Sequence, residues 1–299
     1  MQIEYFKIFN DLVDTQSFSK AAKINCITQS AVSQQLKAME EKFGIPLIER
    51  NSKNFSPTRE GEMLYNTGRE ITHIYEDLQH RFHDLHNIVS GVIRIATVYS
   101  IGLHELPIYL KAFLKAYPSV NIHLEYRRSN QVYDDILQGV VDIGLVAFPV
   151  QRKNIKVEPF RKDTLVLICK PTHPLAQQPT VTLTDIVKHK FVAFEPDIPT
   201  RKAIDKMFQG IHHEIKPIME FDNIETVKRA VEIDAGVSIV PRNTVTQEVN
   251  NGLLKIVELT GNGDYTRPLG ILYRQGRVLS PALKKFLEIL KKDTSSLQV

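Results

Sequence analysis

The rhythm of apolar residues changes at Ser90-Gly91, and the rhythm that follows leaves few folds open. From there short apolar runs alternate with helical patterns. "VIRIATV" reads as a buried strand, "LPIYLKAFLKAY" as an amphipathic helix, "VNIHLEY" as a strand, "NQVYDDILQG" as a helix and "VVDIGLVAF" as a strand. A second series follows: "TLVLICK", "KFVAFEP", a helix over 200–208, "KPIMEFD", a helix over 223–234, and "VSIVP". Such alternation demands an open α/β sheet with right-handed crossovers. The strand "PLGILYR" and the helix "SPALKKFLEILKK" come last and suit completion of the first sheet. The chain then crosses twice between two lobes, near Arg161 and near residues 265–268. Lobe 1 takes about 91–160 and 268–292, lobe 2 about 161–267, with a cleft between them.

Residues before the break are helical. Tyr5, Phe6, Ile8, Phe9, Leu12 and Val13 share one stripe. Ser17 or Ser19 can cap a short helix carrying Ala21, Ala22 and Ile24, and the poor helix formers Asn25 and Cys26 suit a tight turn. Thr28 then caps a third helix, stopped by Gly44 and Pro46. On this helix Val32, Leu36, Met39 and Phe43 fall on one face, and Ser30, Ser33, Gln34 and Lys37 on the opposite one. Thr28 and Gln29 extend the polar run. Short hydroxyls let a backbone approach a DNA major groove, Gln pairs with an adenine edge, and Lys reaches phosphate or guanine. The alternative is a plain solvated face.

Context favours the groove. A short helix, a tight turn and a second helix is helix-turn-helix order. Extended pieces at 47–50 and 55–57 flank the turn-forming Asn51-Ser52-Lys53-Asn54, which makes a wing. Arg50, Lys53 and Arg59 are placed to meet backbone phosphates.

With those residues in view, "FSKAAKINCITQSAVSQQLKAMEEKFGIPLIERNSKNFSPTREGE" resembles the winged helix-turn-helix of LysR-type transcriptional regulators. The matching features are Ala21-Ala22, the run 28–33, Met39-Glu40-Glu41-Lys42-Phe43-Gly44 and a closing Thr58-x-x-Gly61. Met39 and Phe43 stand in the usual leucine positions. The second half resembles the LysR effector domain, of periplasmic-binding-protein type, in "YPSVNIHL", "QVYDDILQGVVDIGLV" and "DNIETVKRAVEIDAGVSIVP". The fold class expected is therefore a multidomain α+β chain. Residues 1–58 form a winged helix-turn-helix, 59–89 a dimerising linker helix, and 90–299 a two-lobed α/β effector domain.

The linker helix itself shows a heptad seam. Leu64, Ile71, Leu78 and Leu85 repeat every seven residues, and Tyr75, Phe82 and Val89 add positions four further on. Four heptads are too narrow a stripe for a core helix, so pairing of two copies is the expectation, and the family resemblance leans to tetramers. Gly68 weakens the helix locally and is a candidate bend. His80, His83 and His86 follow at spacing three beside Asp77 and Asp84; a solvated outer face is the simpler reading, and no metal site is assigned.

Ligands of open α/β sheets bind at strand C-termini, where helix N-termini aim unpaired backbone N–H groups. Ser100, Ser129 and Thr200 sit at such places, Ser100 and Thr200 facing each other across the cleft. The resemblance implies that these three hold an effector, with Phe148 and Asn223 more loosely. Arg201 is expected to add positive charge, and the effector to be a small anionic metabolite. The alternative reading leaves the hydroxyls as helix caps and nothing more.

Composition limits the other function classes. The 299 residues carry a net charge of only +4, so any polyanion site must be local. The two cysteines are far apart in sequence and form no disulfide framework. No basic-then-apolar segment opens the chain and no apolar run approaches ~18 residues, so a cytoplasmic, nucleoid-associated bacterial protein is expected. That speaks against a solute-transport protein built from the same lobes. An enzyme would need a nucleophile beside the His212-His213 pair, a Gly-rich phosphate loop or clustered carboxylates, and none stands out. The expected partners are double-stranded DNA, a small effector, further copies of the chain and RNA polymerase, with no cofactor and no membrane.

Overall fold

The computed structural model describes residues 2–51, 54–84, 89–261 and 263–292. The chain divides into two compact units. One comprises Met1–Ser90 with the short stretches Gln138–Val140 and Val278–Pro281, and the other the remaining residues from Gly91.

The first unit contains helices α1 (Ile3–Thr15), α2 (Phe18–Ile24) and α3 (Gln29–Phe43), strands β1 (Ile48–Asn51) and β2 (Asn54–Pro57), and helix α4 (Arg59–Asp84). Local chemistry sets each boundary. The Ser17 side chain caps α2 by accepting from Lys20 N, and Thr28 caps α3 by accepting from Ala31 N at 3.2 Å. Between them the turn is secured by Asn25 Nδ2, which donates to Asp11 Oδ2 on α1 at 2.7 Å. α3 stops at Gly44, whose φ of 70° is a left-handed cap favouring glycine.

Val32, Leu36 and Met39 are buried with Phe6, Phe9, Leu12, Ala21 and Leu47 in one core. Phe43, expected with them, is 42% exposed, because the apolar contacts of α3 end a turn earlier. β1 and β2 pair antiparallel as a hairpin. Thr58 Oγ1 accepts from Gly61 N at 2.9 Å and donates to Pro46 O at 2.9 Å, joining the hairpin to α4. Gly61 has no room for a side chain, since a Cβ would lie 2.0 Å from Leu47 O.

On α4, Leu64 and Ile71 pack against the core of their own unit, so part of the expected seam is used within one copy. Gly68 serves close approach: a Cβ there would meet Phe6 and Asn10 of α1 at 3.2 Å. Ile74 is 69% and Leu78 45% exposed. Ser52, Lys53, Leu85 and His86, and the side chains of Arg50, Asp77, His80, Phe82, His83 and Asp84, lie outside the described residues.

The second unit runs β3 (Gly91–Thr97), α5 (Tyr99–His104), α6 (Leu106–Ala116), β4 (Val120–Tyr126), α7 (Ser129–Leu137), β5 (Ile143–Ala147) and β6 (Ile155–Cys169). It continues with β7 (Thr180–Val181), α8 (Leu183–Ile186), β8 (Val192–Phe194), α9 (Pro199–Gln209), β9 (Met219–Phe221), α10 (Ile224–Glu232) and β10 (Ser238–Pro241). Last come α11 (Thr246–Asn250), β11 (Lys255–Leu259), β12 (Thr266–Arg274) and α12 (Pro281–Leu290). One sheet has the order β4-β3-β5-β12-β6-β11-β7, with β10 also on β6, and β8-β9 form a separate parallel pair. β3 is parallel to β4 and β5, as crossover helices require.

The two crossings are the long strands β6 and β12, paired antiparallel with Arg267 opposite Asp163 and a register shift between Pro268 and Gly270. The first half of β6 and all of α5, α8, α11 and β11 were not expected from the sequence. One core gathers around Leu165, Leu167, Val192, Ile204, Val227 and Ile239. On the other side of the crossings Ile93, Leu145, Tyr109, Phe113 and Phe286 are buried, the last two rings edge to face at 5.0 Å. Among the described residues no helix is long and apolar enough to cross a membrane.

Candidate functional site

Two surfaces carry the expected site residues. On the first unit, Thr28, Gln29, Ser30, Gln34 and Lys37 are exposed along the outer face of α3, with Ser33 half-buried. Val32 and Leu36 behind them fix which way that face points. Thr28 Oγ1 and Ser30 Oγ share a hydrogen bond of 2.9 Å, while Gln29 and Gln34 make none within the described residues, so their amides are free to read an external edge. Lys37 is 72% exposed and meets Glu41 at 3.5 Å, an i,i+4 surface pair too weak to hold it. Arg59 is exposed at the start of α4.

In the second unit a cleft of about 920 Å³ is lined by Ser100, Ser129, Phe148, Thr200 and Asn223. Topology brings them together. Ser100 lies in the first turn of α5 after β3, Ser129 begins α7, and Thr200 is in the first turn of α9. Asn223 caps α10 by accepting from Thr226 N at 3.1 Å, and Phe148 follows β5 with a positive φ of 50°.

Arg201 is not among them, and this corrects the expectation. At 100° per residue the lining positions of α9 (199, 200, 202, 203 and 206) fall on one side of the helix and Arg201 on the opposite one. The buried Arg201 guanidinium donates instead to Phe194 O and Glu220 Oε1, both at 2.6 Å, and to Asp205 Oδ1 at 2.7 Å.

The cleft's buried cation is Arg267 of β12, which sequence reasoning missed. It is 2% exposed. Its Nη2 donates to Ser100 Oγ at 2.6 Å and its Nε to Thr200 Oγ1 at 3.2 Å, bridging hydroxyls from the two lobes. Nη1 stands 3.7 Å from Asp163 Oδ2, and among the described residues both of these atoms lack a hydrogen-bond partner. Burial pushes the Asp163 carboxyl up to about 6, although Arg267 draws it the other way. Burial also lowers the Arg267 guanidinium to about 10, so it remains a cation at neutral pH. In the sequence Asp163 and Arg267 stand immediately before "TLVLICK" and "PLGILYR", but only the strand pairing sets them opposite each other.

The rest of the lining is mixed. Tyr99 and Tyr126 stack at 4.7 Å with ring planes 8° apart. Arg128, at the N-terminal end of α7, reaches from lobe 1 to Glu195 Oε2 at 2.6 Å and Asp197 Oδ2 at 3.0 Å on lobe 2. A cleft of this kind can bind and orient an anion. Among the described residues no group of three or more His, Cys, Asp or Glu could hold a metal ion.

Comparison with known proteins agrees with both halves of this description. Residues 3–62 match the family model described as bacterial regulatory helix-turn-helix protein, lysR family. Residues 86–295 match the LysR substrate binding domain. The HTH-type transcriptional activator CmpR of Synechocystis is 27% identical, over 96% of this chain and 94% of the relative. The HTH-type transcriptional regulator MJ0300 of Methanocaldococcus jannaschii is 31% identical, over 97% and 99%. The crystal structure of full-length CbnR with its target DNA shares the fold with a TM-score of 0.71 at 18% identity, covering 97% of this chain and 99% of that one. The chain belongs to the LysR family: it is a DNA-binding transcriptional regulator with an effector-binding domain.

Proposed function

We propose that a small anionic metabolite, held between the two α/β lobes, modulates how the paired chain grips its operator. The observation that carries this reading is Arg267, a buried cation lining the cleft whose Nη1 has no hydrogen-bond acceptor among the described residues. An unpaired buried donor is costly, and an anionic oxygen supplied by a ligand relieves that cost. Ser100 and Thr200, which Arg267 already orients, and Ser129 supply hydroxyls around the same space. Asn223 and Phe148 complete the wall, and Arg201 holds α9 in place from behind.

On the DNA side, Thr28, Gln29, Ser30, Ser33 and Gln34 enter the major groove, and Lys37 and Arg59, with Arg50 and Lys53 on the wing, meet phosphates. The exposed Ile74 and Leu78 on α4 support pairing of two copies. A paired reader docks half-sites about one helical turn, ~34 Å, apart. The effector must favour one arrangement of the pair over another for binding to be transmitted.

Fluorescence anisotropy with a selected operator tests the pair of sites together. Specific binding is expected near ~10⁻⁸ to 10⁻¹¹ M with steep salt dependence. Lys37→Ala is expected to reduce the salt slope by about one ion. An unchanged slope together with unchanged base preference removes Lys37 from the interface. For the cleft, Thr200→Ala is expected to weaken effector binding in calorimetry, and unaltered affinity counts against the site.

A further inference from the structure

We propose that the effector carries two anionic groups, and that Lys202 and Lys206 of α9 receive the second of them. This rests on the cleft being the effector site. The first group belongs with Arg267, whose buried Nη1 faces Asp163 at 3.7 Å and has no hydrogen-bond acceptor among the described residues. The second subsite follows from the helical period. Pro199, Lys202, Ala203 and Lys206 are spaced i, i+3, i+4 and i+7, and all four line the cleft.

The two lysines are exposed, and within the described residues neither makes a hydrogen bond or an ion pair. The other cations of the lining are engaged. Arg127 pairs with Asp135 at 3.3 Å, Arg128 with Glu195 and Asp197, and Arg152 with Asp134 at 3.5 Å. Asp205, the acidic residue between the two lysines, is held by Arg201 at 2.7 Å. Like charges at i,i+4 repel, and among the described residues no acidic partner screens that repulsion. A carboxylate or phosphate lying between the two ammonium groups does offset it.

The centre of the lysine pair lies about 6 Å along the helix axis from Thr200, at 1.5 Å rise per residue. The anionic groups are therefore separated by a carbon skeleton rather than carried on one centre. The stacked Tyr99 and Tyr126, with Phe148 and Phe194, give that skeleton apolar wall to lie against.

The test is calorimetry on the full chain with two matched pairs of probes: hexanoate against adipate, and fructose 6-phosphate against fructose 1,6-bisphosphate. In at least one pair the probe with two anionic groups is expected to bind about tenfold more tightly. Lys202→Gln with Lys206→Gln is expected to remove that advantage while the affinity of the probe with one anionic group stays within about twofold. An unchanged melting temperature in this double variant separates loss of charge from loss of fold. Equal affinity for both members of each pair, no binding of either probe with two anionic groups, or a preference for two groups that survives the double variant overturns the proposal. Arg267→Met distinguishes the two levels of the reading. Binding of the probe with one anionic group abolished by it keeps the cleft as the site even where the lysine subsite fails. Binding undiminished by it removes the cleft itself.

Discussion

Replacing Arg267 with methionine keeps most of its volume and removes its charge, and the structure sets the size of the effect. Breaking a buried ion pair usually costs 3–5 kcal/mol, because the remaining charge is stranded. Here the stranded group is Asp163, whose carboxyl is already raised to about 6. At pH 7 it escapes by taking up a proton, and one unit between pKa and pH limits that loss to about 1.4 kcal/mol. The two hydrogen bonds to Ser100 and Thr200 go as well, at about 1 kcal/mol each, since both hydroxyls line the cleft and regain water. The expected destabilisation is therefore roughly 3 kcal/mol at pH 7 and about 2 kcal/mol at pH 6, where protonation costs almost nothing. Urea unfolding of the full chain at both pH values, followed through the second unit, measures it. Adding Asp163→Asn to Arg267→Met is expected to recover about 1 kcal/mol at pH 7 and little at pH 6. A loss of 5 kcal/mol or more that ignores pH, or no loss at all, refutes the reasoning.

Asp163 also gives effector binding a pH dependence. Its folded value lies above the 3.8 of an unperturbed aspartate, so its stabilising contribution is present below about pH 4 and disappears as pH rises through about 6. Protonation removes the negative charge beside Arg267, so anion affinity is expected to rise, up to about tenfold, between pH 7.5 and 5.5. Calorimetry on Asp163→Asn is expected to give a flat profile, and a slope kept in that variant assigns the effect elsewhere. At the other end of the chain, Gly61→Ala gains helix propensity of about 1 kcal/mol. It also places a methyl 2.0 Å from Leu47 O, which is backbone and cannot swing aside. Net destabilisation of the first unit by about 2 kcal/mol, with loss of operator binding, is expected in thermal unfolding and anisotropy; a more stable variant contradicts the packing.

What was legible in the sequence was what local chemistry decides. Thr28 and Gly44 mark the ends of α3 because a cap needs only its own neighbours. Val32, Leu36 and Met39 follow from a period that burial enforces over several turns, whereas Phe43 sits where the helix has left its neighbours behind. Strand–helix alternation gave the α/β lobes, but α5 and β11, with six and five residues, are too short for periodicity to identify. The cleft shows the same division. Ser100, Ser129 and Thr200 were found because strand ends and helix starts locate them, while Arg267 emerges only from the pairing of β12 with β6, more than a hundred residues upstream. Choosing Arg201 came from counting charges near a helix start without asking which way each one points.

The central claim is that the polar front of α3 reads base edges. Its most direct test is selection of bound duplexes from random DNA by the full chain, repeated with Gln34→Ala. The account expects a paired motif with half-sites about one helical turn apart, and relaxed preference at one base position in each half-site for the variant. Equal retention of all duplexes at moderate salt, or an identical motif from the variant and from a Ser30→Ala, Gln29→Ala chain, contradicts it.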